Sequence, residues 1–144
     1  MKIQVTLCLP RDAGTVSIVR AIAVDTLRLL SVTPACVDDI RVALSEACTN
    51  VIQHAVTTED YEVRLEVDGD QCVLAVIDAG QGADETTASD AEMPAPWSPT
   101  GRGLALMRAL SDRIDFTSAP DAGTTVRLVR GLEFEQPSPL GSSR

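Results

Sequence analysis

The amino-acid sequence predicts an α+β domain, a two-layer sandwich in which helices cover one face of a mixed, mostly antiparallel sheet. Two observations indicate this class. The hydrophobic pattern changes repeatedly between a period of two residues and a period of about 3.6 residues. The resulting order is strand, two helices, two strands, a loop, a helix and two strands, which favours one sheet with segregated helices over alternating βαβ units.

The first half of the chain contains one predicted strand and two predicted helices. Apolar residues alternate with polar ones from residue 2 until Pro10 ends the strand. A helix follows over about residues 13–30, with a basic edge formed by Arg20 and Arg28 beside its apolar stripe of Val19, Ala23, Thr26, Leu27 and Leu30. Thr33 caps a second helix that starts at Pro34 and runs to about Ala55.

The second half supplies the remaining strands and one helix. The turn Asp68-Gly69-Asp70 joins two strands into an antiparallel hairpin. The segment from about residue 83 to 100 has no usable period and predicts a mobile loop. A helix opens at residue 101, and two strands follow it. We expect one domain over residues 1–132 and a disordered polar tail over residues 133–144.

Composition excludes several function classes. The formal charge of -9, without a basic patch, makes nucleic acid a poor direct partner. The chain shows neither a long apolar segment nor a signal peptide, so we expect a cytoplasmic protein with no membrane association. The 4 cysteines form no C-x-x-C pair and have apolar neighbours, which predicts buried free thiols.

Three polar residues at spacings of four, Glu46, Asn50 and His54, lie on the second predicted helix. They fall about 100° round the helix from its core stripe of Ile40, Leu44, Ala47, Val51 and Ala55. This border position suits side chains that reach into a pocket between helices and sheet. A solvated flank of the helix would produce the same pattern.

Asp78 ends the most hydrophobic predicted strand and begins the sequence Asp-Ala-Gly-Gln-Gly, which contains Gly80 and Gly82. A buried carboxylate is costly unless specific donors meet it, which favours a binding role. An ordinary turn remains the alternative at this point.

Two glycines, Gly101 and Gly103, flank Arg102 and lead through Leu104 into the third helix. Exposed amides at a helix N-terminus bind anions, and glycine allows a phosphate to approach closely. Arg102 could add a charge-assisted contact to such a phosphate. A simple helix start is the alternative, as an ordinary strand residue is for Thr124 in the last strand.

The motifs together, in this order over about residues 10–130, resemble the Bergerat-fold ATP-binding domain of gyrase, the ninety-kilodalton heat-shock chaperone, mismatch-repair ATPases and histidine kinases. Among them, the short chain with its E-x-x-x-N-x-x-x-H-A helix and G-R-G-L-A-L-M sequence looks like the anti-sigma-factor serine/threonine kinases. The resemblance implies ATP and Mg²⁺ as cofactors.

The same resemblance implies roles for single residues. Asn50 would ligate the magnesium, Glu46 would act as the general base, and Asp78 would accept a hydrogen bond from the adenine amino group. Thr124 would assist Asp78 through water, and Gly80 and Gly82 would lie beside the purine. The phosphates would meet Gly101, Arg102, Gly103 and Leu104, under a lid formed by residues 83–100. The role of His54 stays open between a structural and a functional hydrogen bond.

The function implied is that of an anti-sigma factor that sequesters a sigma factor and phosphorylates a STAS-domain anti-anti-sigma factor. A homodimer is also implied, and the Arg20–Arg28 edge is the candidate surface for partners. A module that binds ATP and acts by sequestration alone, without phosphoryl transfer, is the alternative. Intact Glu46 favours the kinase, because a pure clamp needs Asn50 and Asp78 but no base.

Overall fold

The computed structural model describes residues 2–54, 60–78, 86–89, 101–119 and 123–135. Within these ranges, helices pack on one face of a six-stranded sheet. The elements in chain order are β1 (Lys2–Leu9), α1 (Gly14–Leu29), α2 (Pro34–His54), β2 (Tyr61–Asp68), β3 (Gln71–Asp78), β4 (Thr86–Ser89), α3 (Gly101–Leu110), β5 (Arg113–Ala119) and β6 (Gly123–Gly131).

The strand order across the sheet is β1-β2-β3-β6-β5-β4. Every pair among the described strands is antiparallel. The two-layer α+β class is therefore confirmed, and the described strands form a wholly antiparallel sheet where a mixed, mostly antiparallel one was predicted. The strand β4 was not predicted. It lies at the sheet edge inside the predicted loop, and its four residues, TTAS, are too short to show a period.

The hairpin of β2 and β3 places one face of the sheet against the helices. Its turn uses Gly69 at φ 63°, a left-handed conformation that glycine adopts without strain. Alternate residues of both strands are buried, and they are Tyr61, Val63, Leu65, Val67, Cys72, Leu74, Val76 and Asp78. Asp78 therefore shares the helix-facing side with the apolar core residues of its strand.

The apolar stripes predicted for the first two helices form the core. The buried residues include Val19, Ala23 and Leu27 of α1 and Ile40, Leu44, Ala47 and Val51 of α2. Because α2 contacts α1, α3 and β3, it is the central helix of its layer. None of the helices in the described ranges is long and apolar enough to cross a bilayer.

Hydrogen bonds from the residue before α2 and from the segment after β6 hold the start of α2 in place. The Cys36 amide donates to the Thr33 hydroxyl at 3.4 Å, which confirms the predicted cap. The Thr33 amide donates to the Glu133 carbonyl at 2.9 Å, and the Glu135 amide donates to the Ser31 carbonyl at 2.8 Å. Residues 133 and 135, beyond the predicted domain boundary at residue 132, thus pair with the segment that precedes α2. Residues 136–144 lie outside the described ranges.

All four cysteines are free thiols, as predicted, but they differ in exposure. Cys36, Cys48 and Cys72 are buried, whereas Cys8 is exposed on β1, contrary to expectation. Burial raises the pKa of Cys48 and of Cys72 to about 12. At neutral pH these two thiols are protonated and behave as small apolar side chains.

Candidate functional site

Buried polar residues mark one end of the sheet. Among the described residues, the polar or charged side chains in the buried class belong to Thr15 at 7% exposure, Asn50 at 3% and Asp78 at 1%. Burying such groups costs free energy unless specific partners meet them. Two of the three, Asn50 and Asp78, are candidate binding residues of the sequence analysis.

Asp78 is the last residue of β3, and strand pairing fixes its surroundings. Tyr61 of β2 lies opposite it on one side, and Thr124 of β6 lies opposite it on the other. The backbone register therefore sets Thr124 directly opposite Asp78 on the neighbouring strand. This is the neighbourhood that the predicted partnership of Asp78 and Thr124 requires.

Arg11 contacts Asp78, although the sequence analysis does not identify Arg11 as a candidate site residue. The Arg11 guanidinium forms an ion pair with the Asp78 carboxylate through Nη2 and Oδ1. Side-chain exposure is 8% for Arg11 and 2% for Asp78, so the pair is buried. Arg11 lies in the connection between β1 and α1, 67 residues from Asp78, and no local spacing links the two.

A hydroxyl pair lies next to the ion pair. Thr15 Oγ1 donates to the Asp12 carbonyl at 2.7 Å, which leaves the Tyr61 hydroxyl as the donor in the 2.6 Å bond between Tyr61 and Thr15. Burial raises the pKa of Tyr61, although the Thr15 bond and the nearby Arg11 charge oppose the shift. Tyr61 is therefore neutral at physiological pH.

The central helix contributes the second part of the site. Asn50 is buried, Glu46 is half-buried one turn earlier, and side chains four residues apart share a face of a helix. Arg11 Nη1 donates to the carbonyl of Val51, the residue after Asn50, at 3.1 Å. The turn that carries Asn50 is thereby connected to Asp78. His54 is the last residue of α2, and its side chain lies outside the description.

The donor set on α2 suits a magnesium ion held mainly by other ligands. No group of three or more histidine, cysteine or acidic side chains that could hold a metal occurs among the described residues. The amide oxygen of Asn50 is a hard ligand of the kind Mg²⁺ accepts, and Mg²⁺ commonly takes its remaining ligands from phosphates and water. The residues present therefore fit the implied metal.

The glycine motif begins the third helix as predicted. α3 starts at Gly101, Gly103 is buried, and Leu104 is half-buried against the core. The side chain of Arg102 is not described, and Gly80, Gly82 and most of the predicted lid lie outside the described residues. α3 contacts α2, the helix that carries Glu46 and Asn50. The individual roles assigned to these residues remain predictions.

A groove lies outside the site, between α1 and α2. Its volume is about 280 Å³, and its lining comprises Ala13, Val16, Ser17, Arg20, Thr49, Ile52 and Gln53. Arg20 reaches both helices, because it donates to Ser17 and to Ser45 at 3.4 Å each. Arg28 is exposed two turns further along α1, so the predicted basic edge consists of one residue at the groove and one outside it.

Known proteins share this sequence pattern. Residues 9–130 match the histidine kinase-like ATPase domain family. The serine-protein kinase RsbW of Bacillus velezensis is 30% identical over 141 residues, an alignment that covers 89% of this chain and 85% of that protein. The anti-sigma F factor of Pasteuria penetrans is 28% identical over 102 residues, covering 66% of this chain and 68% of that protein.

A solved structure shares the fold. The crystal structure of RsbU and RsbW domains from Mycobacterium tuberculosis superposes with a TM-score of 0.69 at 23% identity. The match covers 90% of this chain and 32% of that longer chain. The arrangement of strands and helices described above is therefore one that an experimentally determined structure also adopts.

The buried ion pair leads to a prediction about stability. Removing one partner of a buried pair leaves a charge without compensation, so Asp78→Asn should lower the free energy of unfolding by about 3–5 kcal/mol. Asp39→Asn is the matched control, because Asp39 pairs with Arg130 at 2.9 Å but its side chain is 36% exposed. That variant should lose about 1 kcal/mol or less. Urea unfolding followed by circular dichroism measures both.

Together with the single variant Arg11→Met, the double variant Arg11→Met/Asp78→Asn completes the thermodynamic cycle. It removes both charges, and Met retains much of the apolar packing of the arginine side chain. It should be at least about 1 kcal/mol more stable than Asp78→Asn alone, because the two residues are coupled. Additive losses in the double variant would show that the pair does not stabilise the fold.

Proposed function

Because the chain belongs to the histidine kinase-like ATPase domain family, in the branch that contains the serine-protein kinases RsbW, we propose that it is an ATP-dependent serine/threonine protein kinase and anti-sigma factor. Its substrate in this proposal is a STAS-domain anti-anti-sigma factor, and its second partner is a sigma factor. The observation that carries the proposal is the burial of Asn50 and Asp78 beside the apolar core.

The two buried residues define where ATP binds. The Asp78 carboxylate accepts a hydrogen bond from the exocyclic amino group of adenine at the end of β3, with Thr124 beside it. The phosphates extend from there toward α2 and the amide-rich start of α3, where the positive end of the helix dipole favours negative charge. Asn50 would hold Mg²⁺, and the bound ion would neutralise charge on the phosphates.

Glu46 carries the chemistry. It lies one helical turn before Asn50, so its carboxylate and the metal-binding amide face the same part of the pocket. A partner serine or threonine oxygen attacks the terminal phosphorus in line, the bond from that phosphorus to the bridging oxygen breaks, and ADP leaves. Glu46 accepts the hydroxyl proton as the new oxygen–phosphorus bond forms.

The groove between α1 and α2 is the proposed docking surface for the partners. It contains Arg20, and its α2 wall includes Thr49, the residue next to Asn50. A partner seated there lies close to the helix that carries the catalytic residues. In a protein with a net charge of -9, an arginine at such a groove favours an acidic contact on the partner. We expect the protein to act in the cytoplasm and as a homodimer.

The kinase proposal is tested with Glu46→Gln. This change keeps the shape of the side chain and removes the base, so phosphate transfer to the partner should fall at least about 100-fold while ATP affinity changes less than about twofold. Radiolabelled ATP and purified STAS-domain proteins of the same organism provide the assay, and calorimetry provides the affinity. Transfer at the wild-type rate would contradict the role of Glu46.

The same experiment distinguishes the alternative function. A wild-type protein that binds both ATP and a partner but transfers no phosphate to it would be a regulatory module that acts by sequestration. ATP hydrolysis that proceeds equally with and without any partner would indicate an ATPase cycle instead. Either result would overturn the kinase proposal.

The docking surface is tested by comparing two arginines of one helix. Arg20→Ala should weaken partner binding by about tenfold, because Arg20 lies in the groove and connects both of its walls. Arg28→Ala, on the exposed side of α1, is the matched control and should change partner affinity little. Both variants should retain wild-type affinity for ATP. Equal effects of the two substitutions would exclude the groove as the docking site.

A further inference from the structure

Arg11 occupies a position in the site that the proposed function does not use. It follows Pro10 in the connection between β1 and α1, yet its guanidinium lies under the helices against Asp78. Taking both charges out of water is expensive, and only good geometry and additional hydrogen bonds compensate for it. The desolvation cost of the Arg11–Asp78 pair must therefore be offset by further contacts.

A second hydrogen bond of the Arg11 guanidinium helps to offset this cost. Nη2 meets Asp78 at the end of β3, and Nη1 donates to the Val51 carbonyl of α2 at 3.1 Å. The guanidinium is planar and its donors form a fixed fork, so two contacts by one group set the distance between their acceptors. One side chain therefore connects the strand end that carries Asp78 with the helical turn that carries Asn50.

We propose that Arg11 is a positioning residue: it holds the Asp78 carboxylate against α2 and thereby sets the preference of the pocket for a purine with an exocyclic amino group. The inference rests on the proposed ATP site. An ionised carboxylate only accepts hydrogen bonds, and it offers about four lone-pair positions. Asp78 can therefore accept from Arg11 and from the amino group of adenine at the same time.

The orientation of the Asp78 carboxylate determines how much its hydrogen bond to the adenine amino group contributes to the affinity for ATP. A hydrogen bond weakens steeply as its angle and length depart from the preferred values, so a carboxylate that can rotate loses the amino group first. Contacts to the phosphates come from other parts of the chain and do not depend on that rotation. Loss of Arg11 should therefore weaken recognition of the base more than recognition of the phosphates.

The test compares two ligands on the variant Arg11→Met. One ligand is ATP, and the other is purine riboside triphosphate, which is ATP without the exocyclic amino group. The wild type should bind ATP at least about tenfold more tightly than the analogue. In Arg11→Met that ratio should fall to within about twofold of unity, mainly through weaker ATP binding. A residue that only stabilised the fold would weaken both ligands alike and leave the ratio unchanged.

Two further variants sharpen the comparison. Arg11→Lys keeps the positive charge and therefore folds even if Arg11→Met does not, but a single ammonium cannot reproduce the fork. Its ratio should also be lower than that of the wild type. Arg130→Met is the matched control, because Arg130 joins β6 to Asp39 of α2 at the opposite end of the sheet, at 2.9 Å. It should lower stability and keep the wild-type ratio.

The outcomes separate this inference from the proposed function. A wild-type ratio in both Arg11 variants would overturn the positioning role and leave the ATP site intact. Tighter ATP binding in Arg11→Met would overturn it too, since Arg11 would then compete with the purine. A wild-type protein that binds neither nucleotide would refute the ATP site itself.

Discussion

The buried ion pair between Arg11 and Asp78 is the interaction on which the functional end of this fold depends. Three segments distant in sequence meet there: the connection after β1, the last turns of α2 and the end of β3. Apolar packing alone would leave their relative positions adjustable, because it has no direction. Directional contacts from one guanidinium remove that freedom at the place where a ligand would need a fixed geometry.

The two ends of the sheet use similar contacts for different purposes. At the far end, Arg130 pairs with Asp39, and the Gly131 amide donates to Asp112 at 2.6 Å. These contacts lie partly in solvent; the first joins the end of β6 to α2, and the second joins it to the connection between α3 and β5. At the site end, the Arg11–Asp78 ion pair and the hydrogen bond between Tyr61 and Thr15 are buried. The Arg130–Asp39 pair at the far end is therefore more exposed to solvent than the Arg11–Asp78 pair.

Much of this arrangement could be predicted from local sequence patterns. The period-two and 3.6-residue patterns predicted the strands and helices, and the Thr33 cap, the Gly69 turn and the start of α3 followed from local backbone chemistry. The spacing of Glu46 and Asn50 placed both on one side of α2. The register that puts Thr124 opposite Asp78 is a consequence of strand pairing, and the motif order anticipated it only through resemblance.

The remainder depends on contacts between distant residues, which have no local signature. Arg11 follows Pro10 like any charged residue in a loop, and only the folded chain shows its contact with Asp78. The strand β4 is four residues long and lies at an edge, so its pairing with β5 is the sole sign of it. Residues 133–135 are Glu-Phe-Glu, and backbone hydrogen bonds to residues 31–33 together with the packing of Phe134 against the core hold them beside the start of α2. Tertiary context decides such segments, not propensity.

The most direct measurement is a calorimetric titration of the protein with ATP, with and without magnesium, on the wild type and on Asn50→Ala. The wild type should bind ATP in a magnesium-dependent manner. Asn50→Ala should bind at least about tenfold more weakly and lose most of the magnesium dependence, because the amide ligand is gone. No binding by the wild type at millimolar ATP, or equal binding by both proteins, would contradict the assignment of this end of the sheet as an ATP site.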